Sequence, residues 1–318
     1  MTQTNLPPLD IPSLTGIHAA TLCPLTEDGR ISPEELEAHV THIASAESIN
    51  GLLINGHAGE GGLMSPEERI RVARLTRMSV PKACFLTVGI TSESTSAAIR
   101  EAEAAAEAGA DAVLVFPPNH WALGLDETIV LEHHRAIAQV SGLPLVLYKA
   151  PLGWGRLSYS IDLLSRLCEL EAVAGIKEGA WEVSAYEELW RRIKSERPGV
   201  SVMASGDEHM LACYQIGTDG SQVSLAAVVP DLVTGLFAAA KAGDWVRARD
   251  LHERIYPLAC EIYRRVPAYL ATARLKACLK LTGQIESDRV KRPMRQLTEA
   301  ETSRLRDVLH QESERKTA

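Results

Sequence analysis

The sequence predicts a closed (β/α)8 TIM barrel followed by a C-terminal helical appendage. Short β-branched runs alternate with longer amphipathic segments over most of the 318 residues, and this alternation is typical of βα units around a parallel sheet. Eight such runs occur, spaced roughly 20 to 35 residues apart, as a strand, a helix and two loops require. After about residue 243 the strand-like runs stop. We therefore expect a barrel over residues 14–243 and a helical region over residues 244–318.

The predicted strands are short apolar runs that end at turn-forming residues. They begin near Ile17, Gly51, Ala83, Asp111, Pro144, Val173, Val200 and Gly220. An open, doubly wound sheet is the rival architecture. Against it, no G-x-G-x-x-G follows the first strand, and no G-x-x-x-x-G-K-[ST] occurs anywhere in the chain.

Two of the predicted helices carry clear start signals. Ser32-Pro33-Glu34-Glu35 and Ser65-Pro66-Glu67-Glu68 both read as capping boxes, with Ser at the N-cap, Pro at the first helical position and Glu three residues after the cap. In the C-terminal region, helical periodicity predicts helices over roughly residues 245–264, 269–282 and 297–313.

Composition and charge limit the classes of partner and location. With 33 Lys and Arg against 41 Asp and Glu, the formal charge is −8, so nucleic acid and anionic membrane are poor partners. The six cysteines are scattered singly, as in a reducing compartment. Neither a signal peptide nor a run of 18 apolar residues appears. We expect a cytoplasmic protein that binds neither nucleic acid nor membrane.

Lys177 lies at the end of the sixth predicted strand, after the apolar run 172–176. In a (β/α)8 barrel the functional side chains gather at the C-terminal ends of the strands. An amine among apolar walls has a lowered pKa, and a neutral amine attacks ketones to form Schiff bases. The alternative interpretation is that Lys177 simply begins a solvated loop.

Two neighbouring features favour the catalytic interpretation. Tyr148 ends the fifth predicted strand, where a phenol can move protons, although such a tyrosine is also a common core ring. The second strand ends in Asn55, before the glycine-rich segment 56–62. Its backbone N–H groups can bind a carboxylate, although a loop built only for a tight turn has a similar sequence.

The sequence gives little sign of a metal site. His133 and His134 are adjacent on a predicted helix and so diverge, and no HExxH pattern occurs. We therefore expect no metal and no organic cofactor.

Four motifs, in order, resemble those of the pyruvate-dependent class I lyases that include dihydrodipicolinate synthase and N-acetylneuraminate lyase. The resemblance extends from about Leu14 to Leu297. The motifs are GHAGEGGLMSPEER (56 to 69), LPLVLYKAP (143 to 151), GIKEG (175 to 179) and SGDE (205 to 208).

The resemblance implies a role for each matching position. Lys177 would form the Schiff base with a 2-oxo acid, and Tyr148 would be the proton-transferring phenol. Backbone amides of His57 and Ala58 would hold the substrate carboxylate. The backbone around Gly206 and Gln222 would line the same pocket.

The sequence also departs from the family pattern. His57 and Ala58 replace a pair of hydroxyl residues, and Lys149 replaces the Asn after the tyrosine. Where the synthases place an Arg that binds the second substrate, this chain has Gly153. Where they place a tyrosine that crosses a subunit interface, Asn119 or His120 lies nearest. These departures argue against lysine biosynthesis.

Four loop residues are expected around the barrel mouth, or alternatively in ordinary loop packing: His57, His120, Trp121 and Trp154. We predict a lyase, an aldolase or dehydratase that acts on pyruvate or a deoxy sugar 2-oxo acid through Lys177 and Tyr148, with His57 assisting. The alternatives are 4-hydroxy-tetrahydrodipicolinate synthase itself and a non-catalytic barrel that binds a 2-oxo acid. The resemblance also implies a homo-oligomer, a tetramer or dimer.

Overall fold

The computed structural model describes residues 14–317, with side chains through residue 312, and its strands form one closed parallel barrel. The order around the barrel follows the chain, and β1 pairs with β8. Every predicted strand start lies within two residues of the observed start, so the (β/α)8 prediction is confirmed. The strands are β1 (Gly16–Ala20), β2 (Ile49–Ile54), β3 (Phe85–Ile90), β4 (Ala112–Val115), β5 (Leu145–Lys149), β6 (Val173–Glu178), β7 (Ser201–Ala204) and β8 (Gly220–Val223).

Eight helices follow the strands and cover the outside of the barrel. They are α1 (Pro33–Ser45), α2 (Pro66–Ser79), α3 (Thr95–Glu107), α4 (Glu127–Ser141), α5 (Ile161–Leu167), α6 (Val183–Glu196), α7 (Met210–Ile216) and α8 (Pro230–Lys241). Short 3₁₀ helices occupy several βα loops, including Asn119–Leu123 after β4 and Leu152–Leu157 after β5.

Only one of the two predicted capping boxes forms. At Ser65 the hydroxyl accepts from the Glu68 N–H and the Glu68 carboxylate accepts from the Ser65 N–H, as predicted. At Ser32 the helix starts as expected, but the Ser32 side chain makes no capping hydrogen bond, so the prediction of a capping box here was wrong. The Glu35 carboxylate instead accepts from the backbone N–H of Glu286, 2.6 Å away, in the C-terminal region.

The barrel has two apolar cores, because its strands are covered on both faces. The larger core lies between the strands and the helices. The smaller core fills the barrel itself and includes Leu53, Leu114, Val146 and Tyr148. Side chains alternate between these two cores along the strands, except at the register shift in β6, where Ala174 lies in the smaller core and Ile176 in the larger. On β5, Tyr148 therefore points into the barrel and Lys149 points out toward the helices.

Strand register places Lys177 beside Tyr148, since the two residues are direct partners in the β5–β6 pairing. In a barrel of this type, side chains from alternate strands stack in layers. Following the register around the barrel with a stagger of about one residue per strand, Lys177 shares a layer with Gln222, Leu53 and Leu114. Tyr148 lies in the next layer toward the mouth.

The C-terminal region forms the three predicted helices, α9 (Trp245–Tyr263), α10 (Ala271–Leu281) and α11 (Glu299–Thr317). Between α10 and α11 the chain returns to the barrel, and we call residues 286–291 the C-terminal strap. The division into a barrel and a separate helical region stays a prediction. Within the described residues, no helix combines the length and the apolar character that a membrane span requires.

Candidate active site

Lys177 is buried inside the barrel near its mouth, with 8% of its surface exposed. Desolvation lowers the pKa of its amine to about 8, against a smaller opposing effect from the Asp207 carboxylate. At pH 7 about one amine in ten is then neutral, which an unshifted lysine does not approach. The side chain therefore has the environment of a nucleophilic amine and not that of a loop lysine in solvent.

Tyr148 stands beside this amine as a buried phenol. Its pKa is raised, first by desolvation and then by the nearby Glu178 carboxylate. The hydroxyl is consequently protonated at neutral pH and is a proton donor. Among residues 14–312, no side chain or backbone group hydrogen-bonds it. Gly179 lets the ring lie here, since a Cβ at that position would be 3.3 Å from Tyr148 Cε2 and 3.0 Å from the Lys149 carbonyl oxygen.

The loop after β2 is a tight turn fixed by its own backbone. Asn55 adopts a left-handed conformation at φ 55°, and its side-chain nitrogen Nδ2 donates to the Arg69 carbonyl at 3.0 Å. A Cβ on Gly61 would lie 1.9 Å from the Asn55 carbonyl oxygen, so only glycine fits there. In the described part of the chain, the backbone N–H groups of His57 and Ala58 donate to no protein acceptor. They are available to an anion in the mouth.

The C-terminal region supports the same loop from outside. The Thr272 hydroxyl on α10 donates to the His57 carbonyl at 3.2 Å. The fully buried carboxylate of Glu60 forms an ion pair with Lys276 on α10 and accepts from the Lys291 N–H of the C-terminal strap at 2.6 Å. These contacts link the C-terminal region to the proposed site.

The His57 ring packs among aromatic rings at the mouth. Its centroid lies 4.5 Å from Phe116, 5.4 Å from Tyr148 and 5.3 Å from Trp154. Desolvation lowers the pKa of His57, and the charge on Lys177 adds to the effect. Because the residue is exposed at the mouth, this downward shift is smaller than full burial would give. No hydrogen bond joins His57 to Tyr148 within residues 14–312.

Asp207 is a site residue whose role the sequence analysis did not assign. Its carboxylate is buried and accepts from the Leu225 N–H at 2.8 Å and from the Tyr263 hydroxyl at 3.1 Å. Desolvation raises its pKa to about 7 despite these donors and the positive Lys177. The sequence signal was the SGDE segment, which showed a motif but not that the Asp207 side chain lies near the lysine.

Gly206 and Gln222 come from the next two strands of the barrel after the Lys177 strand, Gly206 just beyond the end of β7 and Gln222 within β8. Gly206 follows β7, and its carbonyl accepts from the His209 N–H at 2.9 Å. Gln222 extends its side chain into the barrel, where Nε2 donates to the Thr87 hydroxyl at 3.5 Å and Oε1 is buried without a partner. The sequence had suggested only a backbone contribution from Gln222.

The loop after β4 contributes less to the site than expected. Asn119 and His120 are exposed at the rim, and their backbone N–H groups both donate to the Glu93 carboxylate. Trp121 packs away from the His57 cluster, with its ring 5.3 Å from His133 and 6.3 Å from Tyr159. Of the predicted mouth residues, Trp154 and His57 come together, while Trp121 does not join them.

Lys149, the departure after the tyrosine, does not reach the mouth. Its side chain lies outside the strands, buried, and Nζ donates to the Tyr159 carbonyl at 2.5 Å. Its register partner Glu178 is also buried, and desolvation raises the pKa of that carboxyl to about 7. This substitution changes the support behind the site and leaves its lining unchanged.

A charged groove of about 600 Å³ lies far from this site. It is formed by the C-terminal ends of α5 and α6, which precede β6 and β7 and therefore lie at the opposite face of the barrel. Each of its arginines is paired with a carboxylate, as Arg192 is with Glu196 and Asp162 and Arg166 is with Glu127 beside the groove, so we assign it no chemistry. Its lining residues are Asp162, Ser165, Arg166, Glu169, Arg192, Glu196 and Arg197. Among the described residues, no three His, Cys, Asp or Glu side chains group as metal ligands do.

Comparison with known proteins agrees with the resemblance noted in the sequence. A 4-hydroxy-tetrahydrodipicolinate synthase of Neisseria meningitidis is 28% identical over 299 residues, covering 86% of this chain and 100% of the relative. An uncharacterized DapA-like lyase of Halobacterium salinarum is 28% identical over 293 residues, covering 92% of both chains.

Solved structures share the fold over nearly the full length. The 4-hydroxy-tetrahydrodipicolinate synthase of Methylacidiphilum fumariolicum SolV superposes with a TM-score of 0.84 at 26% identity, covering 95% of this chain and 96% of that chain. YagE of Escherichia coli K12, solved in complex with pyruvate, has a TM-score of 0.88 at 23% identity, covering 94% and 99%. The model of the dihydrodipicolinate synthetase family matches residues 13–312. This protein, a lyase, therefore belongs to the dihydrodipicolinate synthetase family.

Proposed function

We propose that this lyase forms a Schiff base between Lys177 and the ketone of a 2-oxo acid, either pyruvate or a deoxy sugar acid, and then breaks an adjacent C–C or C–O bond. The observation that carries the proposal is the pairing of two groups on neighbouring strands. One is a buried amine with a lowered pKa, and the other is a buried phenol that keeps its proton.

The first half of the reaction makes the imine. The neutral Lys177 amine adds to the ketone carbon and gives a carbinolamine. Tyr148 then donates its proton to the carbinolamine hydroxyl, which leaves as water. The products are a protonated imine on Lys177 and the phenolate of Tyr148, which the new positive charge stabilises.

The second half uses the imine as an electron sink. In an aldol cleavage, the phenolate accepts the proton of the C4 hydroxyl as the C3–C4 bond breaks, and the electron pair moves into the enamine. The enamine carbon next takes a proton back from Tyr148. Water then adds to the imine, and pyruvate leaves with the lysine restored. In a dehydration, the phenolate instead removes a C3 proton to give the enamine, and the enamine electron pair then expels the C4 hydroxyl, which takes that proton from Tyr148 and leaves as water.

The substrate carboxylate is proposed to bind the free backbone N–H groups of His57 and Ala58. Support comes from the tight turn that presents these groups and from the absence of a protein acceptor for either within residues 14–312. Gly206 and Gln222 would complete the pocket wall. Asn119 and His120 would contact only the outer end of a long substrate, since both lie exposed at the rim.

Borohydride trapping tests the proposal. Incubation with pyruvate and borohydride should leave a reduced adduct on the peptide that contains Lys177, because borohydride reduces an imine to a stable amine. Lys177→Arg should abolish the adduct, since a guanidinium stays protonated. The exposed Lys280→Arg variant is the control and should label like wild type. A label on another lysine, or none with any 2-oxo acid tried, would refute the proposal.

A second candidate activity is that of 4-hydroxy-tetrahydrodipicolinate synthase, which the names of several relatives favour. Against it, Gly153 supplies no guanidinium for the second carboxylate. Loss of a charged bidentate partner costs about a hundredfold in rate. Condensation of pyruvate with aspartate semialdehyde should therefore be slow. A kcat/KM of roughly 10⁴ M⁻¹s⁻¹ or more would establish the synthase and point to another cation, such as the exposed Arg156.

A non-catalytic barrel that binds a 2-oxo acid is the alternative from another class. It predicts pyruvate binding with no exchange of the methyl protons of pyruvate in D₂O, whereas enamine formation on Lys177 predicts exchange. The homo-oligomeric state and the cytoplasmic location also stay proposals, and light scattering of the purified protein tests the former.

A further inference from the structure

Four aromatic side chains form a continuous surface beside the reactive pair, and we call His57, Phe116, Tyr148 and Trp154 the aromatic wall. Ring centroids within the wall are 4.5 to 6.5 Å apart, which is the range of favourable aromatic pairs. The rings come from the loops after β2, β4 and β5, together with the end of β5 itself. The wall therefore lies where the part of a substrate beyond the 2-oxo acid must extend.

Trp154 offers most of the uncovered apolar surface of the wall. It is 43% exposed, whereas Phe116 and Tyr148 are each only 5% exposed. The indole is half exposed, and its ring centroid lies 6.5 Å from that of the reactive phenol. This makes Trp154 the residue best placed to contact the leaving aldehyde.

The loop that carries Trp154 is held in position by hydrogen bonds on both sides. The Leu152 N–H donates to the Ala180 carbonyl of the neighbouring loop at 3.3 Å, and the Trp154 N–H donates to the Pro151 carbonyl at 2.9 Å. At the far end, the Ser158 hydroxyl donates to the Ala150 carbonyl at 2.6 Å. The indole is thus presented by an ordered loop that starts directly after β5.

The wall has little fixed charge to offer a polar aldehyde. Lys149 points away from the mouth, and Glu93 is engaged by the backbone of Asn119 and His120. His57 is neutral at neutral pH, because partial desolvation beside the rings and the charge of Lys177 both lower its pKa. A second carboxylate, or several hydroxyls, would lose hydration at the wall without a matching partner. An apolar aromatic ring has no such hydration to lose when it binds at the wall.

We propose that the aldehyde half of the substrate is aromatic, so that the enzyme cleaves 4-aryl-4-hydroxy-2-oxobutanoates to pyruvate and an aromatic aldehyde, with the aryl ring against Trp154 and His57. This inference rests on the proposed Schiff-base function. In the balanced step, the C3–C4 bond breaks, the C4 hydroxyl loses its proton to the Tyr148 phenolate and C4 becomes the aldehyde carbon. The bonding pair enters the enamine, which becomes pyruvate after protonation and hydrolysis. No oxidant or other co-reactant is needed.

The test measures cleavage of 4-hydroxy-2-oxo-4-phenylbutanoate by pyruvate release, beside condensation of pyruvate with benzaldehyde, glyceraldehyde and aspartate semialdehyde. Wild type should use benzaldehyde with the highest kcat/KM of the three. Trp154→Ala should lower kcat/KM for the phenyl substrate about tenfold, the upper range for an aromatic pair, chiefly through KM. Trp154→Phe should recover most of that loss.

The controls separate this inference from the proposed function. Leu123→Ala removes an apolar side chain, 82% exposed, from the neighbouring loop and should leave the aldehyde preference unchanged. Borohydride trapping of pyruvate should be equal in wild type and Trp154→Ala. Trapping on Lys177 together with a preference for glyceraldehyde or aspartate semialdehyde, or a preference that Trp154→Ala does not change, overturns the aromatic inference alone. Absence of trapping overturns the proposed function as well.

Discussion

Burial of Lys177 lowers the stability of the folded protein, because the charged ammonium form loses its hydration inside the barrel. The same burial is proposed to make the amine reactive. The same desolvation acts in opposite directions on its neighbours, raising the pKa of Tyr148 and of Asp207. One environment thereby makes the amine easier to deprotonate and keeps the neighbouring phenol protonated.

Replacing Lys177 by Met should stabilise the protein at pH 7. The pKa is about 8 in the folded state and 10.5 in the unfolded chain, so the buried charge costs about 3 kcal/mol at pH 7. This cost is complete below pH 8 and disappears as the pH rises to 10.5. Thermal unfolding at pH 7 should therefore show a higher Tm for Lys177→Met. The gain should shrink near pH 10, and a variant less stable than wild type at pH 7 contradicts the account.

For His57 the geometry favours a space-filling role over a proton relay, because its ring does not hydrogen-bond Tyr148. His57→Ala should keep the trappable imine and lose less than about tenfold in the rate of pyruvate proton exchange, well below the 10²- to 10⁴-fold worth of a general acid-base group. Proton exchange followed by NMR between pH 5 and 8 should give matching profiles for wild type and variant.

His57→Phe serves as the matched control, since it keeps a ring but removes the imidazole. A fall of 10²-fold or more in both variants, with loss of an acidic limb from the profile, would establish His57 as a catalytic acid or base.

At the scale of elements, β5 and β6 hold Tyr148 and Lys177, the proposed reacting pair, and the turn after β6 packs against Tyr148. The backbone N–H of Gly179 donates to the Lys149 carbonyl at 2.9 Å, which brings this turn against the Tyr148 ring. A side chain at residue 179 would have to displace either the β5 backbone or the phenol.

Gly179→Ala should therefore lower turnover while leaving most of the fold intact. We expect kcat for the cleaved 2-oxo acid to fall at least about tenfold, since small misplacements of a catalytic group are costly. Steady-state kinetics and circular dichroism measure the two effects. Gly199→Ala is the matched control, because a Cβ there meets no atom within 4 Å. Equal turnover in the two variants would show that the ring tolerates the contact.

Sequence periodicity and β-branched runs were enough to locate all eight strands, since burial on both faces of a parallel barrel leaves continuous apolar runs. The positions of Lys177 and Tyr148 near the strand ends could be predicted because both follow such runs. The capping box at Ser32 could not be judged locally, since Glu35 binds Glu286 from far along the chain. Asp207 and the cluster around Trp154 depend on how separate loops pack, which no local pattern encodes.

At the scale of the whole molecule, the C-terminal region completes the mouth of the barrel. Lys276 and Glu60 are both fully buried and pair with each other. Lys276 also donates to the Arg289 carbonyl at 2.7 Å, and Lys291 Nζ binds the Glu68 carboxylate at 2.6 Å. The loop that presents the His57 and Ala58 amides thus depends on residues near the other end of the sequence.

Breaking this buried pair should be costly, and removing both charges should cost less. Lys276→Met should destabilise the protein by about 3–5 kcal/mol, because it leaves the Glu60 carboxylate buried without its cation. The double variant Lys276→Met, Glu60→Gln should recover much of that loss. Urea unfolding of the three proteins measures the differences. A single variant as stable as wild type would show that the pair contributes nothing.

The long reach of the Glu60 contacts has a consequence during synthesis. Glu60 meets the N–H of Lys291, which is 231 residues later in the chain. At 5–20 residues per second, roughly 10 to 50 seconds separate their appearance on the ribosome. Through that interval, a nascent chain has the β2 loop but lacks the Lys291 N–H that donates to the Glu60 carboxylate, and for most of it also lacks the Lys276 ammonium that neutralises that carboxylate. The ribosome-bound barrel should therefore expose this loop to proteases and chaperones, and it should bind 2-oxo acids only after the strap has emerged.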